Sequence, residues 1–368
     1  VDPLSGGTSF LFQSPEGTYE ISASSLSALG IQLGLPEDYV LLVGGEAQVV
    51  QDGQLRVLRV PSGLQTRVTS IPLLAGPDSW RTIKDETDPF EFLPGAGLLL
   101  VRREGFEDQV VSLRFQANDE LRAKITLIPS LTTPAGFRRI TREPFWQGED
   151  FWIQEREVTC AEYLEFLNSP QAQAQMANSA EAILFPRTFR NAASGGLWVR
   201  DSSGRFELPA QTSASLPVMA ISWFDAVRYA EWRTAEAQAA GLAFQFRLPT
   251  AREFHVAAGG APNWPYPYGP RFRPNWSSCC FSRPVPAPEP VLRYPIDESV
   301  FGVFDTSGSA LEWLDTWWNQ AQTERHAGGG SWAQGGSIAA RPMAGLGIRP
   351  QETSLETSFR LVLEIDGY

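Results

Sequence analysis

Residues 216–260 read LPVMAISWFDAVRYAEWRTAEAQAAGLAFQFRLPTAREFHVAAGG, and two helices with an extended segment between them are legible in it. Ser222 is a hydroxyl N-cap, Asp225 puts a carboxylate in the first turn, and Phe224, Val227, Ala230 and Trp232 recur at helical spacing, so a helix is expected from about Trp223 to Ala239. Gly241 supplies its stop, because glycine takes the left-handed conformation that closes a helix. The second helix opens on Thr250, with Glu253 where a capping box needs it, Phe254 and Ala257 on its buried face and Gly259-Gly260 at its end. Between them Phe244-Gln245-Phe246-Arg247-Leu248-Pro249 reads as a short extended segment, with Pro249 fixing the entry to the helix.

The rest of the second half follows the same rules. Ser130–Pro134 reads as a linker, Phe151–Ile153 as a strand, and Thr159 as the cap of a helix that carries Tyr163, Leu164, Phe166 and Leu167 before Asn168-Ser169-Pro170 stops it. Residues 171–210 are polar and interrupted by Pro186 and Gly195-Gly196; a short helix near Ala172–Ala182 and a hairpin around Ser203-Gly204 are expected there. The first 130 residues have a different character. Thr8–Phe12, Thr18–Ser22, Tyr39–Val43, Glu46–Val50, Leu55–Val60, Leu98–Val101 and Val110–Phe115 alternate as strands do, with turns such as Asp52-Gly53, and predict an all-β sandwich over residues 1–130.

Composition bounds the function. The chain of 368 residues has room for two domains, and a hydrophobic fraction of 43% suits globular cores. A net charge of −12 with scattered basic residues argues against nucleic acid and anionic lipid as partners. No apolar run approaches the length of a membrane span and the N-terminus lacks a signal pattern, so no membrane insertion is expected. The compartment, cytoplasmic or extracytoplasmic, stays open. The three cysteines, Cys160, Cys279 and Cys280, are too few for a disulfide framework and read as reduced, structural thiols.

Several motifs stand in a fixed order: Phe151-Trp152-Ile153 with Glu157-Val158-Thr159 and Tyr163; the two-helix stretch; Tyr266-Pro267-Tyr268-Gly269; Phe301-Gly302-Val303 with Asp305 and Gly308; Glu312-Trp313; Gly329-Gly330-Ser331-Trp332; and Ser358-Phe359-Arg360. In that order they resemble the formylglycine-generating enzyme (sulfatase-modifying factor) family over roughly Pro134–Ile365. The resemblance implies an α+β, C-type-lectin-like domain with irregular loops over residues 131–368. Phe92–Pro129 and the polar insert also resemble parts of bacterial, kinase-linked members, although the chain itself has no kinase signature. A kinase domain in the same gene product, outside these residues, is therefore a partner that the resemblance implies.

The family's enzymes oxidise a substrate cysteine with two copper-binding cysteines shortly after the Gly-Gly-Ser-aromatic motif. Here those places hold Gln334 and Ala339, neither of which forms a thiolate or binds copper(I), so no catalytic residue and no copper are expected. A sister branch holds iron with three histidines; this chain has two, His255 and His326, so no iron is expected. His255 reads as solvent-facing or hydrogen-bonded, and His326 lies in what reads as a polar loop, with no role. The resemblance further implies a structural calcium at Asp305, Gly308, Ala310 and Glu312, where carboxylates and turn carbonyls supply the oxygens that calcium takes.

Binding remains. Trp313 and Trp332 fall in fold-defining motifs and read as core, whereas Trp317 and Trp318 are adjacent and cannot both face one interior. Trp317, Trp318, Gln334, Arg341 and Arg349 are therefore the candidate ligand-binding residues, on or beside the loop-rich stretch from Gly328 to Leu355. The reading is a noncatalytic module that binds a protein or small-molecule ligand, within a larger bacterial signalling protein. Two alternatives stay open: a display surface diversified by a retroelement, and a copper-dependent cysteine oxidase with displaced cysteines.

Overall fold

A computed structural model describes residues 133–140, 150–178, 184–187, 197–259, 264–269 and 272–365, with seven strands before residue 116 and positions 107 and 129. Those strands are β1 (Thr8–Ser14), β2 (Gly17–Ala23), β3 (Tyr39–Val43), β4 (Glu46–Gln51), β5 (Gln54–Leu58), β6 (Gly95–Val101) and β7 (Gln109–Phe115). Each expected strand in this part of the chain falls on one of them. They pair antiparallel as β1-β2, β3-β4-β5 and β6-β7, so among the described residues they make three separate small sheets. Arg59-Val60, the turn at Asp52-Gly53 and most of the linker lie outside the described residues.

From residue 137 onward two four-stranded sheets carry the fold. The first is antiparallel, in the order β12 (Phe244–Arg247), β17 (Val362–Ile365), β9 (Phe151–Gln154), β8 (Phe137–Ile140). The second runs β15 (Gly345–Ile348), β14 (Arg325–Gly328), β13 (Leu311–Trp317), β16 (Thr357–Ser358), antiparallel except for the β13–β16 pair. A two-residue hairpin of β10 (Val199–Arg200) and β11 (Phe206–Glu207) stands where the turn chemistry of Ser203-Gly204 places it.

The helices begin where their caps dictate. Helix α1 (Cys160–Leu167) starts at Thr159 with a complete capping box to Glu162, and α3 (Trp223–Ala239) starts at Ser222 with a complete box to Asp225. Helix α4 (Ala251–Gly259) follows Thr250, whose N–H and hydroxyl both donate to Glu253 Oε2 at 2.7 and 2.8 Å. Gly241 has φ of 77° and ends α3 as a left-handed residue. Helix α2 runs Pro170–Asn178, so Pro170 opens a second helix rather than only stopping the first; proline suits the first turn, where its missing N–H has no partner to lose. The expected continuation to Ala182 lies outside the described residues.

The buried face of α3 is offset from the expected one. Ala226, Tyr229, Ala230 and Trp232 face the core, while Phe224 is 45% exposed and packs edge-on against Trp223. The core itself is aromatic. Tyr163 stacks on Tyr229 at 5.5 Å, Phe359 meets both edge-on, and the Tyr163 hydroxyl donates to the Leu184 carbonyl at 2.7 Å. Trp313 is fully buried and donates to the Ile221 carbonyl at 3.1 Å, as its motif implied. Trp332 is only partly buried, its indole N–H reaching the Leu355 carbonyl at 3.2 Å.

One ion pair ties the two sheets. Arg360, just before β17, makes a bidentate pair with Glu312 of β13, both bonds at 2.7 Å and both side chains inaccessible to solvent. Its remaining N–H groups donate to the carbonyls of Gln154 at 3.2 Å and Phe304 at 2.8 Å. Breaking such a pair from one side leaves a buried charge, which typically costs about 3–5 kcal/mol. Arg360→Met is accordingly expected to lower the unfolding free energy in urea by at least that amount, and Arg360→Met with Glu312→Leu to recover part of the loss.

Candidate functional site

The irregular stretch after β14 folds into the wall of an open groove of about 510 Å³, lined by residues 334–339 and by Ala344, Gly345 and Leu346. Glycine makes this wall possible. Gly329 and Gly330 have φ of 97° and 80°, and a Cβ on Gly330 would lie 2.3 Å from the Ala339 carbonyl oxygen. The turn is held from outside by Cys280 N–H donating to the Gln334 carbonyl at 3.0 Å and by the Tyr266 hydroxyl on the Ser337 carbonyl.

Gln334 and Ala339 both line this groove. Its apolar side chains are unusually open: Ile338 is 70% and Leu346 48% exposed, and Phe281, 63% exposed, stands so near Gly335 that a Cβ there would meet its ring at 2.7 Å. All three cysteines are free. Cys279 is buried with its sulfur toward the Pro274 carbonyl and Ser282, whereas Cys280, partly exposed, points its sulfur at Gly335. Burial pushes the Cys160 thiol up to about 12, so it stays protonated.

The other expected ligand-binding residues stand apart from the lining. Trp317 is taken up structurally: the Arg325 guanidinium lies between its ring, at 3.7 Å, and that of Trp223, at 4.0 Å, and pairs with Asp315 at 2.8 Å. Trp318 is 47% exposed and covers Gly347 of β15, the strand whose first residues line the groove. Arg341 and Arg349 are both exposed, and neither lines it. Only Gln334 of the five does. Periodicity could not show this, because the wall is loop.

The expected calcium set needs correction at one residue. Both oxygens of Glu312 are committed to Arg360, so it is not a free ligand. Asp305 accepts the Leu292 N–H at 2.7 Å, and among the described residues no three His, Cys, Asp or Glu side chains converge on one point. Sequence reading missed two further carboxylates in the same pocket, Glu157 and Asp297, both fully buried. Oδ1 of Asp297 lacks a hydrogen-bond partner, and Glu157 has only a weak contact with the Ser309 side chain. Glu157 stands in the polar run Gln154-Glu155-Arg156-Glu157, so nothing in the local pattern marked it as buried.

Four buried carboxylates therefore share one guanidinium. Desolvation first, and then the charges of Asp305 and Glu312, hold the Glu157 carboxyl well above its ordinary range. Desolvation and then Asp305 do the same to Asp297, and desolvation with Glu312 nearby pushes Asp305 up to about 6. The free donors are hard oxygens with excess negative charge, the chemistry that a divalent cation such as calcium neutralises.

Residues 130–365 match the family model described as sulfatase-modifying factor enzyme 1-like domain. The chain belongs to that family. Inactive C-alpha-formylglycine-generating enzyme 2 of Mus musculus is 32% identical over 160 residues, 39% of this chain and 48% of that protein, and its Bos taurus counterpart 31% identical over 159 residues. Serine/threonine-protein kinase Pkn1 of Chlamydia trachomatis is 30% identical over 107 residues, 29% of this chain and 15% of that protein. The chain spans about half the length of the two formylglycine-generating-enzyme relatives, 48% and 49%. Among solved structures, PvdO from Pseudomonas aeruginosa superposes with a TM-score of 0.44 at 17% identity, covering 59% of this chain and 81% of that one. CarF gives 0.41 at 20% identity, covering 60% and 88%, and Treponema denticola variable protein 1 gives 0.39 at 18%, covering 58% and 84%.

The carboxylate pocket sets a pH dependence. Asp305 moves from 3.8 to about 6 on folding, so the folded chain holds the proton more tightly. The stability this contributes is complete below the unfolded value and is lost as pH rises through the folded one. Glu162 and Glu253 act oppositely: burial alone would raise them, but Arg156 and Arg247 with backbone N–H bonds hold both below the ordinary value. Thermal melts in chelator are expected to show greatest stability near pH 5 and a fall of several degrees by pH 7; a maximum at pH 7 or above would contradict the shared pocket.

Proposed function

We propose that this chain is a noncatalytic recognition module on a formylglycine-generating-enzyme scaffold, whose groove holds an extended, apolar peptide segment of a protein partner. One observation carries it: the two positions at which the family's enzymes are expected to hold their cysteines, Gln334 and Ala339, line the same open groove and carry no sulfur. A carboxamide and a methyl group can take part in binding but not in thiol redox chemistry. The apolar rim of Phe281, Ile338 and Leu346 supports a peptide rather than a polar metabolite, and the net charge of −12 opposes an acidic one. The inactive names of the two mammalian relatives point the same way.

The kinase relative supports placing the module in a larger bacterial signalling protein, where a captured peptide would be presented to a catalytic domain elsewhere. Arrayed 12-residue peptides with a central apolar triplet are the probe. Ile338→Asp and Leu346→Asp, both at exposed sites, are expected to weaken the best peptide at least tenfold with unchanged melting. In parallel, a cysteine-bearing peptide incubated with the protein, copper and oxygen is expected to yield no formylglycine by mass spectrometry. Formylglycine above the protein-free control would overturn the noncatalytic reading.

Calcium is proposed as the counter-charge of the buried pocket, held by Asp305 with turn carbonyls and by Glu157 in place of Glu312. Chelation is then expected to lower the melting temperature by several degrees at pH 7, and Glu157→Gln to remove that sensitivity. A Glu157→Gln variant more stable than the parent with calcium present would show that a proton, not an ion, satisfies the site.

A further inference from the structure

His255 and His326 are the chain's two histidines, and the fold brings their rings together with centroids 6.1 Å apart. His255 comes from α4 and His326 from β14, opposite Gly347 of β15 and beside the irregular step in β13 between Trp313 and Trp317. His326 is thus a buried strand residue, 7% exposed, rather than part of a polar loop, and the Trp318 ring meets it edge-on at 4.9 Å. Neither Nε2 has a hydrogen-bond partner, although both are buried.

His255 does bond the Pro342 carbonyl. With Nε2 unpartnered, that bond comes from Nδ1–H, which leaves the lone pair on Nε2. A backbone carbonyl on the far nitrogen is the arrangement that orients a metal-ligating imidazole. Gly345 packs closely against the second nitrogen, and a Cβ there would lie 2.3 Å from His326 Nε2, so no larger residue fits beside it. Two metal–nitrogen bonds of about 2 Å place ring centroids roughly 5–6 Å apart, depending on the angle at the ion.

We propose that His255 and His326 bind a late first-row transition-metal ion of the copper–zinc class through their Nε2 atoms. Imidazole nitrogen suits these ions, in contrast to the all-oxygen pocket around Asp305. Desolvation lowers both rings, His326 to about 4 with His255 beside it, so at neutral pH no proton has to leave when the ion arrives. No third His, Cys, Asp or Glu joins them among the described residues, so the ion keeps open coordination positions. Gly345 also lines the groove, which puts those positions beside the ligand surface.

The test uses the full chain without a histidine tag and with Cys279→Ser and Cys280→Ser, which removes competing thiols. It is titrated with zinc(II), and with copper(I) under ascorbate, against a chromophoric chelator. One equivalent of at least one ion is expected to bind, with two imidazole nitrogens in its X-ray absorption spectrum. His255→Gln and His326→Gln should each weaken it at least tenfold while leaving the far-ultraviolet circular dichroism unchanged. Absence of a one-equivalent site for both ions, affinity retained in both variants, or a spectrum without imidazole would overturn the proposal. Should a variant fail to fold, the spectrum of the parent decides.

Discussion

The domain depends on the fully buried ion pair of Arg360 with Glu312. Arg360, in the link between β16 of one sheet and β17 of the other, meets Glu312 of β13 where no water reaches either charge. A pair of this kind adds little net stability compared with an apolar substitute, but it cannot be half-removed without leaving a charge in the dry interior. It therefore acts as a registry device. The guanidinium accepts only one placement, because its other N–H groups are spent on the carbonyls of Gln154 and Phe304, which brings β9, the turn before β13 and β17 to fixed positions around it.

That placement has a cost which the surrounding residues display. Glu157, Asp297 and Asp305 crowd the same interior, and one guanidinium cannot balance them all. The excess is relieved by protons or by a cation, and either ties the pocket to solution conditions. The groove sits on the far side of the same loops: Ser307 Oγ donates to the Ala340 carbonyl at 2.5 Å, and Gly308 N–H to the Gly329 carbonyl at 2.6 Å. Neutralising the pocket thus also sets the chain that shapes the ligand wall.

Much of the scaffold was legible beforehand because it is specified locally. Ser222 with Asp225, Thr159 with Glu162 and Thr250 with Glu253 are local pairs three residues apart, and each helix begins at its cap. Where the reading slipped, a distant contact decided the outcome. Phe224 has helical spacing but faces outward since Trp223 and Ala226 hold the inner positions, and Trp317 is drawn into a stack with Arg325 that only the β13–β14 pairing creates.

The sequence by itself determined the helix starts, the order of the motifs, the family and the absence of sulfur at positions 334 and 339, because each is a property of neighbouring residues or of residue type. Only the tertiary structure decided that Glu312 belongs to Arg360 rather than to an open ligand set, that Glu157 and Asp297 share its pocket, and that His255 and His326 touch. Those partners are far apart along the chain. Burial, which turns a harmless charge into one that must be matched, arises only once the sheets have closed over it.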